Sequence, residues 1–134
     1  MPFRYERDDV HHRIVITFEG AFQMSEALAS IERCGAENTW SQAVLYDVRH
    51  LVGQPDMDEL RQLLHADLSI PTGGQARGPL AVVASAPSLY TKACTFAALA
   101  QPKLKIRVFR DLSEADSWLS AHTNHRSSLQ GTVR

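Results

Sequence analysis

Ala43-Val44-Leu45-Tyr46-Asp47-Val48 is a run in which apolar residues follow one another without alternation. A strand with one wet face alternates apolar and polar side chains, whereas an unbroken run suits a strand whose sheet is covered on both faces. This run therefore demands a central position in a parallel sheet, and parallel neighbours can be joined only by crossovers, usually helices. Leu80-Ala81-Val82-Val83-Ala84 makes the same demand. Ahead of both runs, Phe3-Arg4-Tyr5-Glu6-Arg7 alternates and Arg13-Ile14-Val15-Ile16-Thr17-Phe18-Glu19 is rich in β-branched residues, with Asp8-Asp9 as turn material between them. That spacing predicts an N-terminal hairpin.

The crossovers are legible too. Met24, Leu28, Ile31 and Cys34 recur at helical spacing behind Ser25, a candidate cap, and Gly35 is the stop signal. Pro55 and Asp56 open a second helix with Met57, Leu60, Leu64 and Leu68 on one stripe. Ser88 is the candidate cap of an alanine-rich third helix over residues 89–100, which Pro102 ends. Lys105-Ile106-Arg107-Val108-Phe109 alternates as an outer strand does, and residues 111–119 form a closing helix with Ser113 and Asp116 as a capping-box-like pair. From His122 onward the chain is polar and aperiodic. The expectation is one α/β domain over residues 1–121 followed by a flexible tail over 122–134. It has an N-terminal hairpin, then βα units, in a mixed sheet of about five strands with about four helices. Strand order is not readable from the pattern.

A chain of 134 residues is long enough to bury roughly two thirds of its unfolded surface without staples. Its formal charge of -1, from 14 basic and 15 acidic residues, supplies no field that would steer it onto nucleic acid. Cys34 and Cys94 show no Cys-x-x-Cys spacing, and the charged start of the chain does not read as a signal segment. They are read as free thiols of a cytoplasmic protein. No apolar run approaches a membrane span.

Ligands of open α/β sheets sit beyond the carboxyl ends of the parallel strands. This rule gathers Asp47, Arg49 and His50 after one strand, Ser85 and Ser88 after the next, and Arg110 and Asp111 after the last. Arg49 or Arg110 could hold a carboxylate or phosphate there. The structural reading of the same residues is preferred: Ser88 caps, Arg49 pairs with a nearby carboxylate, and Asp47 accepts N–H bonds from the backbone of the loop after its strand. No nucleophile and base are paired in the sequence. Cys94 lies in a helix that reads as mostly buried, where thiols are inert, and the serine after Ala84 lacks a Gly-x-Ser-x-Gly elbow. His11, His12, His50, His65, His122 and His125 match no metal-binding spacing. No enzyme activity, metal or cofactor is expected. Gly73-Gly74 precede a strand rather than a helix, so they do not form a phosphate loop. The basic run Lys103, Lys105, Arg107 and Arg110 reads as a charged sheet edge that discourages aggregation. The third helix is apolar nearly all round, which suits a homodimer contact, one wall of an apolar ligand cleft, or ordinary packing.

From Phe3 to Leu119 the chain resembles the STAS-type superfamily of anti-sigma-factor antagonists and sulfate-transporter termini. More narrowly it resembles the small stand-alone bacterial branch grouped with both STAS and CRAL-TRIO-type lipid-transfer domains. The resemblance is carried by Phe18-Glu19-Gly20, by Leu45-Tyr46-Asp47-Val48-Arg49, and by Val108-Phe109-Arg110-Asp111 with Glu114-Ala115 and Trp118-Leu119. In such regulatory domains a strand ending in aspartate leads to an Asp-Ser-Ser-Gly-like turn that carries the phosphorylated hydroxyl. Asp47 matches the aspartate, but Gly53-Gln54-Pro55-Asp56-Met57-Asp58 occupies the turn, and residues 42–68 contain no serine or threonine. The resemblance thus implies a non-catalytic regulatory domain that lacks the usual phosphoacceptor. It would bind a protein partner around Asp47, Arg49, Asp56 and Asp58, on a surface without a deep pocket. Acidic residues in a helix's first turn are stabilising against the dipole, which is preferred to a phosphate-mimic role for Asp56 or Asp58. The alternative is a module binding a small amphipathic anion or lipid-like molecule. Its cleft would be framed by the third helix and Leu51-Val52-Gly53, with Arg49 or Arg110 as the grip.

Overall fold

The computed structural model describes residues 3–101 and 103–131, with side chains through His122. Strands β1 (Phe3–Asp8) and β2 (Arg13–Ala21) form the expected hairpin. They are followed by α1 (Met24–Ala36), β3 (Ala43–Val52), α2 (Met57–Leu68), β4 (Leu80–Val83), α3 (Pro87–Ala100), β5 (Ile106–Phe109) and α4 (Leu112–Gly131). The five strands lie in chain order, β1-β2-β3-β4-β5, with only the hairpin antiparallel. Each crossover joins adjacent parallel strands, and right-handed crossovers in one direction place their helices on one face of the sheet.

The unbroken apolar run divides between the two faces accordingly. On the face of α1, α2 and α3, Ile14, Ile16, Val44, Leu80 and Ile106 form one core with Cys34, Ala97 and Ala100. On the other face, Ala43, Leu45, Ala81, Val83 and Phe109 pack against Ala115 and Leu119 of α4. Leu119 and Ala115 are fully buried, so this single helix covers its half of the sheet by direct side-chain contact. Arg13 fastens it further by donating to the Asp116 carboxylate and, at 3.1 Å, to the Ser120 hydroxyl.

Several local expectations are corrected. The closing helix runs to Gly131 instead of ending near Leu119, so the stretch read as an aperiodic tail from His122 has helical backbone through Gly131. No glycine or proline intervenes between Leu119 and Gly131 to stop it. Helix α4 is capped by Asp111, which accepts from the Ser113 N–H at 3.0 Å and its hydroxyl at 3.1 Å, leaving Asp116 free for Arg13. Helix α1 begins after Gln23 and α3 after Ala86, neither with a side-chain cap, so Ser25 and Ser88 lie inside their helices. The Pro102 stop, like residues 132–134, lies outside the described residues, as does the side chain of His125. His11 and His12 occupy a turn rather than extended strand, with His12 at φ 56° and His11 bonded to Asp8 at 2.8 Å.

Candidate functional site

The site is built from the end of β3. Thr17 of β2 pairs with Asp47 and Glu19 with His50, so Phe18 alone stands opposite both Val48 and Arg49. This two-against-one arrangement is a β-bulge, which re-aims the side chains beyond it. Asp47 holds it in place. Its carboxylate accepts from the Arg49 N–H at 3.1 Å, from Nε at 2.9 Å and from Nη2 at 2.8 Å. Burial alone would raise the Asp47 pKa, but the side-chain and backbone hydrogen bonds from Arg49 outweigh it and hold the carboxyl below its ordinary value. The preferred pairing of Arg49 with a nearby carboxylate is the geometry observed, but the backbone N–H that Asp47 accepts is that of Arg49 within β3 and not one of the loop after the strand.

The bulge changes which residue faces the helices. Before it, Val44, Tyr46 and Val48 point towards α1, α2 and α3; without it, His50 would follow them. Instead His50 pairs with Glu19 on the opposite side and Leu51 pairs with Gly20, so Leu51 turns inward. Beyond Val52, Gly53 turns the chain at φ 86°, a conformation that favours glycine. The Phe22 N–H donates to the Val52 carbonyl at 2.8 Å, closing the mouth of the strand pair.

Behind this mouth lies an apolar cavity of about 140 Å³, which the expectation of a surface without a deep pocket did not include. The sheet supplies Phe18, Tyr46, Val48 and Leu51 to its walls; α2 supplies Leu60 and Leu63; α3 supplies Leu89, Ala93 and Phe96. Asp67 also lines it, but its carboxylate is held by Arg77 at 2.7 Å. Lys92 is the remaining charged residue of the lining, and its side chain forms no ion pair or hydrogen bond among the described residues. The Tyr46 hydroxyl reaches Ser30 at 3.5 Å, and burial pushes its pKa up, so it stays protonated.

The other anticipated residues are distributed around this centre rather than in it. Asp56 is the N-cap of α2 in a capping box: it accepts from the Glu59 N–H at 2.8 Å while its own N–H donates to Glu59 at 3.0 Å. Asp58 is exposed, 3.5 Å from Arg61. Ser85, Ser88 and His50 are exposed. Arg110 lies over the Tyr90 ring at 4.4 Å. Neither Arg49 nor Arg110 lines the cavity, so the cation beside it is Lys92. Cys94 is exposed, which corrects the expectation that it is buried; the fully buried residues of α3 are Leu89, Ala97 and Ala100, while Ala93 and Phe96 are half-buried against the cavity.

On the opposite face, a polar groove of about 300 Å³ runs between β1, β2 and α4. Its polar side chains are bonded to one another or to a neighbour, Asp8 to His11, Arg13 to Asp116 and Asp47 to Arg49. Among the described residues no group of three His, Cys, Asp or Glu side chains could hold a metal ion, and no helix is long and apolar enough to cross a membrane. Sequence reasoning missed Lys92 although a signal was present, since it is the one charged residue of α3.

No protein-family model matches the chain, and no curated protein matches its sequence. Among solved structures it is similar to an anti-sigma factor antagonist from Mycobacterium paratuberculosis, with a TM-score of 0.57 and 18% identity over 87% of this chain and 92% of the other. It is also similar to an uncharacterized protein of the DUF3478 family with a SpoIIAA-like fold from Shewanella loihica PV-4, with a TM-score of 0.58 and 16% identity over 87% of this chain and 91% of the other. At such identities the likeness is one of fold, and it covers most of both chains. The chain has the STAS-like, SpoIIAA-like fold.

Proposed function

We propose that this domain is a non-catalytic regulatory module that binds a protein partner where β3 ends and α2 begins, without a phosphorylated hydroxyl at that turn. One observation carries the reading: Val52, at this junction, is 67% exposed, next to half-buried Phe22. The exposed polar side chains of His50, Asp58 and Arg61 belong to the same strand end and helix start. An apolar centre with a polar rim is the composition of a protein interface. Residues 42–68 offer no serine or threonine, and Tyr46, the one hydroxyl among them, has its pKa raised by burial against the cavity. Asp56 is committed to capping α2, which favours a structural role over phosphate mimicry. The fold of the anti-sigma factor antagonist supports a regulatory, protein-binding role.

The test is capture from the source organism's extract with three baits: wild type, Val52→Asp, and Glu32→Lys on the exposed side of α1. A partner retained by wild type and Glu32→Lys and lost by Val52→Asp is the expected result. Equal retention by all three would place the interface elsewhere. A second reading, binding of a small amphipathic anion, is favoured by the apolar cavity and its lysine, whose side chain has no partner among the described residues.

A further inference from the structure

We infer that the cavity is a binding site for a compact amphipathic monoanion, such as an arylalkyl or short aliphatic carboxylate, with its hydrocarbon part inside and its charge met by Lys92. The assignment deepens the small-molecule reading and does not depend on the partner surface.

Size comes first. The cavity of about 140 Å³ is close to the roughly 150 Å³ of an apolar cavity that stays dry and takes up benzene. One ring or a short chain fills it, whereas a long acyl chain does not fit.

Chemistry narrows the class further. The walls are almost wholly hydrocarbon, and the two ionic side chains among them have different states. Asp67 is neutralised by Arg77, whose guanidinium also donates to the Asp67 carbonyl at 2.9 Å. Lys92 has no such partner among the described residues. It is half-buried at the cavity lining, a position where a lysine can keep its methylene stem on apolar surface and its ammonium in reach of water. The start of α3, one turn away, has no side-chain cap or acidic residue to oppose its positive end. At the Lys92 margin of the cavity the ammonium and the start of α3 therefore have the same, positive sign. The Asp47-held bulge keeps the cavity apolar elsewhere by directing Leu51 inward in place of His50.

The test uses three probes of nearly one shape, phenylacetate, toluene and benzylamine, titrated into the intact protein while amide resonances are followed by NMR. Phenylacetate is expected to shift residues around Leu51, Ala93 and Phe96 and to bind more tightly than toluene, with benzylamine weakest. Lys92→Gln should weaken phenylacetate by about fivefold, the size of one partly exposed ion pair, and leave toluene unchanged. Lys92→Glu, a solvent-accessible substitution that keeps the helix, should invert the order of phenylacetate and benzylamine. Ala93→Phe should abolish binding of all three by filling the space. Equal binding of phenylacetate and benzylamine, or no response of phenylacetate to Lys92→Gln, overturns the assignment while leaving a small-molecule site standing. No cavity shift with any probe overturns both.

Discussion

Replacing Asp47 by alanine tests whether the bulge is held by its carboxylate or merely accompanied by it. The substitution removes three hydrogen bonds, all to Arg49, at 3.1, 2.9 and 2.8 Å. A bond to a charged group is worth about 1.5–3 kcal/mol, and stranding one partner of a buried pair costs about 3–5 kcal/mol. The Arg49 side chain is 31% exposed and can recover water on losing its partner, which takes the expectation below the buried-pair figure and into the upper part of the single-bond one. Asp47→Ala should therefore cost about 2–3 kcal/mol, or a Tm lowered by about 5–12 °C for a domain of this size. Urea unfolding gives the free energy, and a double-mutant cycle with Arg49→Ala should return a coupling of about 1–2 kcal/mol. The pH dependence has a defined sign. The carboxyl of Asp47 titrates lower in the folded than in the unfolded chain. Its contribution is thus complete above the unfolded value of about 3.9 and disappears as the pH falls through the folded value. The gap between wild type and Asp47→Ala should accordingly be constant at neutral pH and shrink in acid. Hydrogen exchange supplies the local readout, since the Arg49 amide loses its acceptor. A cost below about 0.5 kcal/mol with Arg49 amide protection unchanged would refute the clamp.

Two further predictions concern packing. An added Cβ at Gly78 would stand 2.1 Å from the Gln42 carbonyl oxygen and 2.7 Å from that of Ser41, both main chain. Gly78→Ala should therefore cost about 3 kcal/mol or more, and a urea midpoint equal to wild type would contradict the close approach of this loop to the start of β3. Iodoacetamide on the native protein should modify Cys94, which is exposed, and leave Cys34, which is 4% exposed and has its thiol pKa raised by burial, untouched until unfolding. Peptide mass spectrometry distinguishes the two thiols, and equal labelling would show that the core beneath α1 opens readily.

The α/β class and every strand were legible because the signals are local: an alternating hairpin, two unbroken apolar runs, and helical periods between them. What escaped depends on partners distant in sequence. Arg13 and Asp116 are separated by 103 residues, and nothing near either announces that one will lie buried beneath the other's helix. The bulge escaped for a different reason. A run apolar at every position has no parity of its own, so the shift at Val48 and Arg49 exists only relative to β2. The local half of the device was readable, since an aspartate two residues before an arginine is suited to accept its N–H. Its consequence, Leu51 inward and His50 outward, was not. Lys92 lay between these cases, because a single charge in an otherwise uncharged helix is visible in one line of sequence, whereas the cavity that gives it meaning requires three helices to be in place.

The start of α2 bears on control by phosphate independently of the missing hydroxyl. A phosphoryl group added at a helix N-terminus is stabilised by free N–H groups and by the positive end of the dipole, and it acts by introducing charge where there was none. Here Asp56, Asp58 and Glu59 already occupy that turn, and Asp56 and Glu59 satisfy each other's backbone donors. A further dianion would meet three carboxylates and find two of the available donors taken. Even a serine engineered into this turn would bring repulsion rather than a docking charge. What the junction presents instead is the exposed apolar Val52 and, at the cavity lining, Lys92, which has no side-chain partner among the described residues, joined by a strand end at which Asp47 and Arg49 are bonded. On the function proposed above, control at this junction would therefore be carried by what binds rather than by a phosphate attached at that turn.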